Sequence, residues 1–415
     1  MSRRKILSIE AIRGFAAIYV VLDHIIFLYQ PYIFCPEYKH IMKALFGLGH
    51  PAVLLFFIVS GFSIHYSSSN LAHNRKSICE YFYKRIRRIY PLFVFSLLLA
   101  IGVLCILRLD VEIKQIVLSF LFLTDIFFGS ICEPIFTNGP IWSLSYEIPY
   151  YLLYPLLHWG IKKYGMKRML FLSVLISFCA GLFTILNGPN HLCNIVQLYW
   201  VWVIGAYFAD LILKKKQITV RYMFGLLIFF AGLMFTVEEY KYAVVQDWAW
   251  SGFFSLIFLS FFAKSNKINT YKQKIFNLLI GLSGIGICFL LSFSNIVYRV
   301  LPVRFILAGL ILVLFILLFV PFNHFRFFLR KILNPFLYFG NFSYAVYIFH
   351  WPVMIFFTNV FKSEIQTNIL SMMLFIVANI AIVMLLSWYM EIKVQPIVVK
   401  ALNKAYYRNA SCSRK

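Results

Sequence analysis

The stretch IEAIRGFAAIYVVLDHIIFLYQ, residues 9–30, decides how the fold of the chain is interpreted. As a helix, this apolar run is long enough to span the roughly 30 Å hydrocarbon core of a bilayer. It nevertheless carries Arg13 near its beginning and Asp23 and His24 near its middle. Ionisable residues are costly inside a membrane, and where they occur they usually face a bundle interior or a watery cavity. The stretch therefore predicts a first membrane span that belongs to a functional helix bundle.

The composition extends this interpretation to the whole chain. Of the 415 residues, 62% are hydrophobic and 13% are charged, and this charged fraction is about half that of a soluble domain. The apolar runs predict an all-α, polytopic transmembrane helical bundle of ten to twelve spans. Residues 1–391 would form a single transmembrane domain and residues 392–415 a short basic tail. The twelve expected spans lie at residues 12–34, 48–66, 89–107, 141–160, 168–187, 192–213, 219–236, 246–263, 275–293, 300–322, 336–359 and 367–391.

The net charge of +24 is explained by membrane topology. Most of the 39 Lys and Arg residues fall in loops that the alternating spans place on the side of the N-terminus, and such a bias marks the cytoplasmic face. We therefore predict that both termini are cytoplasmic and that the basic loops contact membrane lipid, with no nucleic acid as a partner. A cleaved signal peptide is not expected, because the first apolar run is too long and no small-residue cleavage site follows it.

Two further features are interpreted structurally. The apolar run at 113–129 lies in the predicted outer stretch 108–140, and we interpret it as re-entrant or interfacial, because a thirteenth crossing would move the later basic loops outside. The eight cysteines show no CxxC and no metal-ligand spacing, so no metal site is predicted. Cys35, Cys132 and Cys193 would face outward, and buried or interfacial thiols are favoured over a disulfide.

In the first helix, Arg13 and His24 are eleven residues apart. Eleven helical steps bring them to within about 20° of one face, with a rise of about 16 Å between them. One helix face thus presents a cation near the inner surface and an imidazole near the midplane. The alternative is an Arg that snorkels and a His that is hydrogen-bonded in the core, and either is plausible for one residue alone. The shared face favours a functional pair.

Two basic or polar motifs follow in the next spans. In LFFIVSGFSIHYS, residues 55–67, Ser60 and Gly61 allow close approach of either a ligand or another helix. In YKRIRRIYP, residues 83–91, Arg85 and Arg88 are three residues apart and can project together toward phosphate groups. The alternatives are helix packing for the first motif and an ordinary cytoplasmic basic loop for the second.

Two later stretches also carry polar side chains inside the membrane. GPIWSLSYEIPYYLLYP, residues 139–155, places Glu147 about two turns below an interfacial Trp142, where a carboxylate needs a partner. In GNFSYAVYIFHWPVMIFF, residues 340–357, a polar stripe follows helical spacing. Each residue alone is compatible with a structural role. The stripe consists of Ser343, Tyr344, Tyr347 and His350.

Together, these motifs resemble membrane acyltransferase family three. The resemblance rests on an ordered set: R-x10-H (Arg13 to His24), FFxxSGF (56–62), RxxRIxP (85–91), WSLSxE (142–147) and SYxxYxxHWP (343–352). Each motif is weak alone, whereas the ordered set covers most of the chain. Family members usually have about ten spans and some carry an extracytoplasmic esterase-like domain, whereas we predict twelve spans and a short tail.

The resemblance implies an integral membrane O-acyltransferase of the bacterial cytoplasmic membrane. It would hold no permanent cofactor and would use acyl-CoA, usually acetyl-CoA, to acylate a glycan or lipid-linked sugar. The family pattern implies His24, Arg13 and Glu147 as catalytic residues, Arg85, Arg88 and Ser60 as acyl-CoA-binding residues, and Trp142, Ser143 and Tyr347 as supporting residues.

Acyl transfer needs a base and stabilisation of an oxyanion. His24 suits the role of base, with Glu147 expected to orient its imidazole. A covalent acyl-enzyme is the alternative mechanism, and a proton-coupled transporter or flippase is the alternative function, because intramembrane ionisable residues also serve proton relays. A non-catalytic scaffold is a third possibility. The sequence does not decide the acceptor, the acyl group or the oligomeric state.

Overall fold

The structure is a computed structural model that describes residues 6–29, 31, 49–125, 131–188, 190–216, 218, 222–234, 240–263, 271–293, 309, 312–313 and 322–412. These residues are helices and their connections, without a strand among them. The helices are α1 (Leu7–Tyr29), α2 (Gly49–Ser68), α3 (Arg75–Leu107), α4 (Ile113–Phe120), α5 (Trp142–Tyr164), α6 (Met166–Asn187), α7 (His191–Leu213), α8 (Met223–Met234), α9 (Tyr240–Ser260), α10 (Tyr271–Phe293), α11 (Phe322–Leu333), α12 (Ser343–Val360), α13 (Lys362–Ile365), α14 (Ile369–Tyr389) and α15 (Gln395–Cys412).

Six helical segments in the described part of the chain are long and apolar enough to cross a membrane. They are α1, α2, α3, α6, α7 and the continuous segment Ile369–Tyr406. This confirms the predicted all-α, polytopic bundle. Helices α5, α8, α9, α10 and α12 occupy five of the other expected spans, and the expected span at 300–322 lies mostly outside the described residues. The number of crossings and the side of each terminus stay predictions.

The chain forms two compact units, and each is described by itself. Unit 1 contains Leu54–Ser69 and Gly160–Pro335, and unit 2 contains Arg4–Val53, Asn70–Trp159 and Phe336–Lys415. The first residues of α2 therefore belong to unit 2 and the rest of that helix to unit 1. All the residues expected at the site, except Ser60, belong to unit 2.

In unit 1, small residues let helices approach closely, as is usual in membrane bundles. A Cβ atom on Gly61 of α2 would lie 1.8 Å from the carbonyl oxygen of Trp202 in α7, and one on Gly205 would lie 2.0 Å from that of Ile58. The indole of Trp202 also donates to the hydroxyl of Ser60, at 3.2 Å. The SGF motif thus contributes to the α2–α7 interface.

In unit 2, helices α1, α3 and α12 run in the same direction. The Tyr344 hydroxyl of α12 donates to the carbonyl of Ile89 in α3, and further along both helices the Ser96 hydroxyl donates to the carbonyl of Ile348. Helix α5 runs the opposite way: its beginning contacts Tyr347, whereas the carbonyl of Tyr151, two turns later, accepts from Tyr81 near the start of α3. Because these helices are parallel or antiparallel, the position of a contact along α3 gives its level along the helix axes in this unit.

Helix α4 has eight residues, which is too short to cross a bilayer. The Tyr90 hydroxyl of α3 donates to the carbonyl of Phe120 at 2.9 Å, and the rings of Phe93 and Phe122 lie 4.3 Å apart. Helix α3 continues to Leu107, about 21 Å beyond Phe93. The segment after α3 therefore turns back along α3, which agrees with the re-entrant interpretation.

The contact between α1 and the chain before α12 depends on two glycines. A Cβ atom on Gly14 would lie 2.0 Å from the carbonyl oxygen of Phe336, and one on Gly340 would lie 2.1 Å from that of Glu10. Both neighbours are backbone atoms, so a methyl group cannot be accommodated by rotating a side chain. This contact sets the position of the polar face of α1 against α12.

We expect Gly14→Ala to destabilise the protein by about 3 kcal/mol, the upper end of the usual cost of overpacking, because backbone must move. Thermal unfolding of the detergent-solubilised protein measures the effect. Gly102→Ala in α3 is the matched control, since a Cβ atom there meets nothing within 4 Å. Equal midpoints for the two variants would contradict the close packing of α1.

Candidate active site

A pair of histidines forms the centre of the candidate site. The Nδ1 atom of His24 in α1 lies 2.7 Å from the Nε2 atom of His350 in α12. The two rings are nearly parallel, at 4°, with their centroids 5.0 Å apart. His350 is fully buried, whereas the side chain of His24 is 23% exposed. His24 is thus the member of the pair that a substrate can reach.

The hydrogen bonds of His350 determine the tautomers of both rings. The Nδ1 atom of His350 lies 3.1 Å from the carbonyl oxygen of Val346, and a carbonyl can only accept, so this nitrogen carries the proton. In a neutral imidazole the other nitrogen is then an acceptor. The Nε2 atom of His350 therefore accepts from Nδ1–H of His24, which leaves the lone pair of His24 on Nε2. The pair presents an oriented base.

Asp23 lies on the reactive side of His24. Its Oδ2 atom is 3.9 Å from Nε2 of His24, beyond hydrogen-bond distance but close enough to stabilise an imidazolium. The backbone N–H of Gly49, the first residue of α2, donates to the Asp23 carboxylate, and His50 is close enough to act on it electrostatically. Asp23 therefore has a fixed position beside the nitrogen that would accept a proton.

Aromatic side chains enclose the histidine pair. The ring of Trp351 meets that of His24 edge to face at 4.9 Å, and its indole N–H donates to the carbonyl of Phe136 at 2.8 Å. Tyr347 donates to the carbonyl of Pro140 at 2.5 Å and accepts from the hydroxyl of Ser143 at 2.8 Å. These bonds fix α12 against the beginning of α5, and the supporting role expected of Ser143 and Tyr347 in catalysis stays a prediction.

Trp142, the third expected supporting residue, lies at the same end of α5. It is 5% exposed. Its ring stacks on His50 with centroids 5.5 Å apart and meets Tyr146 edge to face at 5.2 Å. The Tyr146 hydroxyl donates to the buried carboxylate of Asp125 at 2.8 Å. Trp142 is therefore a packing element between α2 and α5 rather than an open aromatic face.

A cluster of charged side chains lies at another level of unit 2, near the beginnings of α1 and α12. Arg88 forms a hydrogen-bonded ion pair with the buried Glu391, which sits in a π-helical turn after α14. Its guanidinium lies 5.7 Å from the centroid of the Tyr344 ring. Arg13 lies 3.5 Å from the carboxylate of Glu10, and Glu10 also acts electrostatically on Arg88. In this charged cluster, each of the two cations lies beside a carboxylate.

The charged cluster and the histidine pair are at different levels. Arg88 is eight residues before Ser96, which contacts Ile348, and His350 is two residues further along α12. The separation along the helices is therefore about 15 Å. Arg13 is at the level of the charged cluster, so it does not contact His24.

Glu147 is held by Tyr151, whose hydroxyl donates to its carboxylate. It also acts electrostatically on Tyr344 and Tyr347 of α12. The hydrogen bond expected from Glu147 to the imidazole of His24 is made by His350 instead. Glu147 thus lies between the two levels, and any catalytic role for it stays a prediction.

Arg85 and Arg88 have different neighbours among the described contacts. Arg85 lies over the ring of Tyr81, at 5.5 Å from its centroid, and lines an apolar groove on another side of α3. Arg88 belongs to the charged cluster. The two guanidiniums are thus in different surroundings, although their spacing suggested one phosphate site.

Sequence reasoning missed the partners. In the sequence, His350 is one residue of a polar stripe and Glu391 is only the last residue of the expected span 367–391. Glu10 could have been found, because it is three residues before Arg13 on the same helix face. Among the described residues, no three His, Cys, Asp or Glu side chains converge as a metal site. Cys132 and Cys193 are thiols, and Cys35 lies outside the described residues.

Comparison with known proteins identifies the family. A sequence family described as an acyltransferase domain, acyltransferase family three, matches residues 6–296. This match covers more than half of the chain, and the chain therefore belongs to this acyltransferase family, as the ordered motifs indicated. The match includes α1 with Arg13 and His24 but ends before α12.

Curated relatives carry related names. Acyltransferase MdmB of Streptomyces mycarofaciens is 28% identical over 167 residues, which are 39% of this chain and 41% of the relative. ORF330 of Acidianus two-tailed virus, provisionally named an acetyltransferase, is 31% identical over 142 residues, 33% of this chain and 41% of that protein. The alignments thus span less than half the length of these relatives. No solved structure gives a significant match.

Proposed function

We propose that the protein transfers an acyl group, expected to be acetyl, from cytoplasmic acyl-CoA to a hydroxyl of a glycan or lipid-linked sugar. The acceptor would be of the O-antigen, capsule or exopolysaccharide type, and the enzyme would act in the bacterial cytoplasmic membrane. One observation carries this proposal: the Nε2 atom of His24 presents a lone pair that a substrate can reach. The buried partner His350 sets the tautomer of the His24 ring. The family membership and the names of the relatives support the acyl chemistry.

In the proposed reaction, Nε2 of His24 takes the proton of the acceptor hydroxyl as its oxygen attacks the thioester carbonyl. The tetrahedral intermediate then collapses, the C–S bond breaks, and the CoA sulfur leaves with the proton held by His24. His350 keeps Nδ1–H in place, as the orienting carboxylate does in a catalytic triad. Asp23, 3.9 Å from Nε2, stabilises the imidazolium that forms between these steps.

The donor would reach the histidines from the charged cluster. The side chain of Arg88 is 46% exposed, and a guanidinium that holds one carboxylate keeps further N–H groups for a phosphate. With Arg13 at the same level, it forms the proposed site for the phosphates of acyl-CoA. The distance of about 15 Å to His350 requires a donor whose reactive thioester is carried on a long arm.

Labelled acetyl-CoA tests the function. Purified protein in vesicles is incubated with it and with a polysaccharide or lipid-linked sugar from the host envelope. We expect label bound covalently to the acceptor, released by mild alkali as an ester. A transporter or flippase predicts movement of the sugar across the vesicle membrane without label on it. A scaffold predicts neither.

We expect Asp23→Asn to lower kcat about tenfold, since loss of one charge near a forming imidazolium removes about 1–2 kcal/mol of stabilisation. The amide keeps an acceptor for the N–H of Gly49, so the fold is preserved. The KM for acetyl-CoA should not change, because the donor phosphates bind at the other level. Asp110→Asn, at an exposed loop aspartate, is the control. A raised KM with unchanged kcat would contradict this role.

A further inference from the structure

We infer that unit 2 carries a binding site for an anionic phospholipid, in a groove between α3, α5 and the re-entrant segment. The groove has a volume of about 290 Å³ and is lined by aromatic and aliphatic side chains. Among the described residues that line it, Arg85 is the one that carries a charge. This site is separate from the proposed acyl-transfer reaction and does not depend on it.

The groove opens toward the bilayer. Ile86 of α3, Leu121 of the re-entrant segment and Leu152 of α5 form its rim and are 56–60% exposed. In a chain that spans a membrane, exposed aliphatic side chains beside the spans face lipid. A ligand therefore enters from the side, out of the bilayer, with its hydrocarbon chain in the groove.

The position of Arg85 selects the headgroup. Its guanidinium stands beside the apolar lining and is held over the Tyr81 ring. Its neighbour Lys84 forms an ion pair with Glu80 at 2.7 Å and does not line the groove. A guanidinium takes bidentate phosphate contacts. The site thus pairs one cation with an adjacent hydrocarbon slot.

This juxtaposition favours a phospholipid over the acyl donor. In a phospholipid the phosphate is next to the chains, whereas in acyl-CoA a long arm separates the phosphates from the acyl group. An anionic headgroup such as phosphatidylglycerol also leaves net negative charge for Arg85, which phosphatidylcholine does not. The lipid would fill the groove and fix the re-entrant segment against α3.

Electron paramagnetic resonance with spin-labelled lipids tests the site. Protein in phosphatidylcholine vesicles receives trace spin-labelled phosphatidylglycerol or phosphatidylcholine, and the immobilised fraction of each is measured. We expect phosphatidylglycerol to associate about fivefold more strongly, as the attraction of one Arg for a headgroup of net negative charge provides. Arg85→Gln should abolish this preference, and Lys84→Gln, the same charge change one residue away, should keep most of it.

A rim variant and a competition with acetyl-CoA complete the test of the lipid site. Leu152→Trp fills the rim without changing charge, so it should reduce the immobilised fraction of phosphatidylglycerol even if Arg85→Gln folds poorly. If Arg85→Gln and Lys84→Gln reduce the preference for phosphatidylglycerol equally, the preference comes from general surface charge and the proposal is overturned. Displacement of the labelled lipid by acetyl-CoA would overturn it in favour of a donor site at Arg85.

Discussion

His24→Ala is expected to lower the rate of acyl transfer about 100- to 10,000-fold, the range supplied by a positioned general base. The physical reason is the loss of the Nε2 lone pair, which in the wild-type protein is oriented by His350 and faces Asp23. The measurement is the initial rate of label transfer from acetyl-CoA to the acceptor in vesicles, at saturating concentrations of both substrates.

The control for this variant is His324→Ala, which removes an exposed histidine of α11. It should transfer label at the wild-type rate. Both variants should also elute as folded protein with similar thermal midpoints, because the side chain of His24 is only partly buried. Transfer within threefold of wild type by folded His24→Ala would refute the base assignment.

His350→Ala is the second large effect, with an expected loss of about a hundredfold in kcat. Without its Nε2 acceptor, the ring of His24 is free to rotate and to adopt the other tautomer, which places the proton on the reactive nitrogen. Loss of the orienting carboxylate in a catalytic triad has the same cause and a larger effect, about 10,000-fold in kcat. The KM for acetyl-CoA should change little, because the proposed phosphate site lies about 15 Å away.

Amide replacements separate orientation from packing at this position. The Oε1 atom of Gln reaches the place of Nε2 in His, so His350→Gln should recover part of the lost kcat. Asn reaches only the place of Nδ1, and His350→Asn should resemble His350→Ala. Equal activity of the two amide variants would show that His350 acts by filling space and not by accepting from His24.

Much of the fold could be predicted from local patterns. The apolar runs predicted an all-α polytopic bundle, and helical geometry placed Arg13 and His24 on one face of α1, because both inferences depend only on short spacings. The positions of the basic loops predict that the run at 113–129 is re-entrant or interfacial, and the eight-residue helix α4 agrees with this in the described part, 113–125.

Long-range partners could not be predicted in the same way. The bond between His24 and His350 joins positions that are 326 residues apart, and no spacing in the sequence indicates which polar residue of the α12 stripe faces α1. Glu147 was expected to orient His24 because a carboxylate serves that role in familiar triads, whereas its carboxylate is bound by Tyr151. The different contacts of Arg85 and Arg88 depend on where α5 and the π-helical turn with Glu391 meet α3.

Asp23 shows why helical angles alone do not predict which side chains meet. Its position one residue before His24 turns its Cα–Cβ bond about 100° away from that of His24 on the helix, so this angle does not indicate a contact between them. The carboxylate of Asp23, held by the N–H of Gly49, nevertheless lies 3.9 Å from Nε2 of His24. Side-chain reach, and not the helical angle alone, decides whether the two groups act on one proton.

The double variant His24→Ala/His350→Ala tests most directly whether His350 acts through His24 as an oriented base. Its rate of label transfer is compared with those of both single variants in one vesicle preparation. If His350 acts only through His24, the double variant should be no slower than His24→Ala within about twofold, because groups that act as a unit are strongly non-additive. A further loss of about a hundredfold on top of His24→Ala would show independent roles and contradict the account.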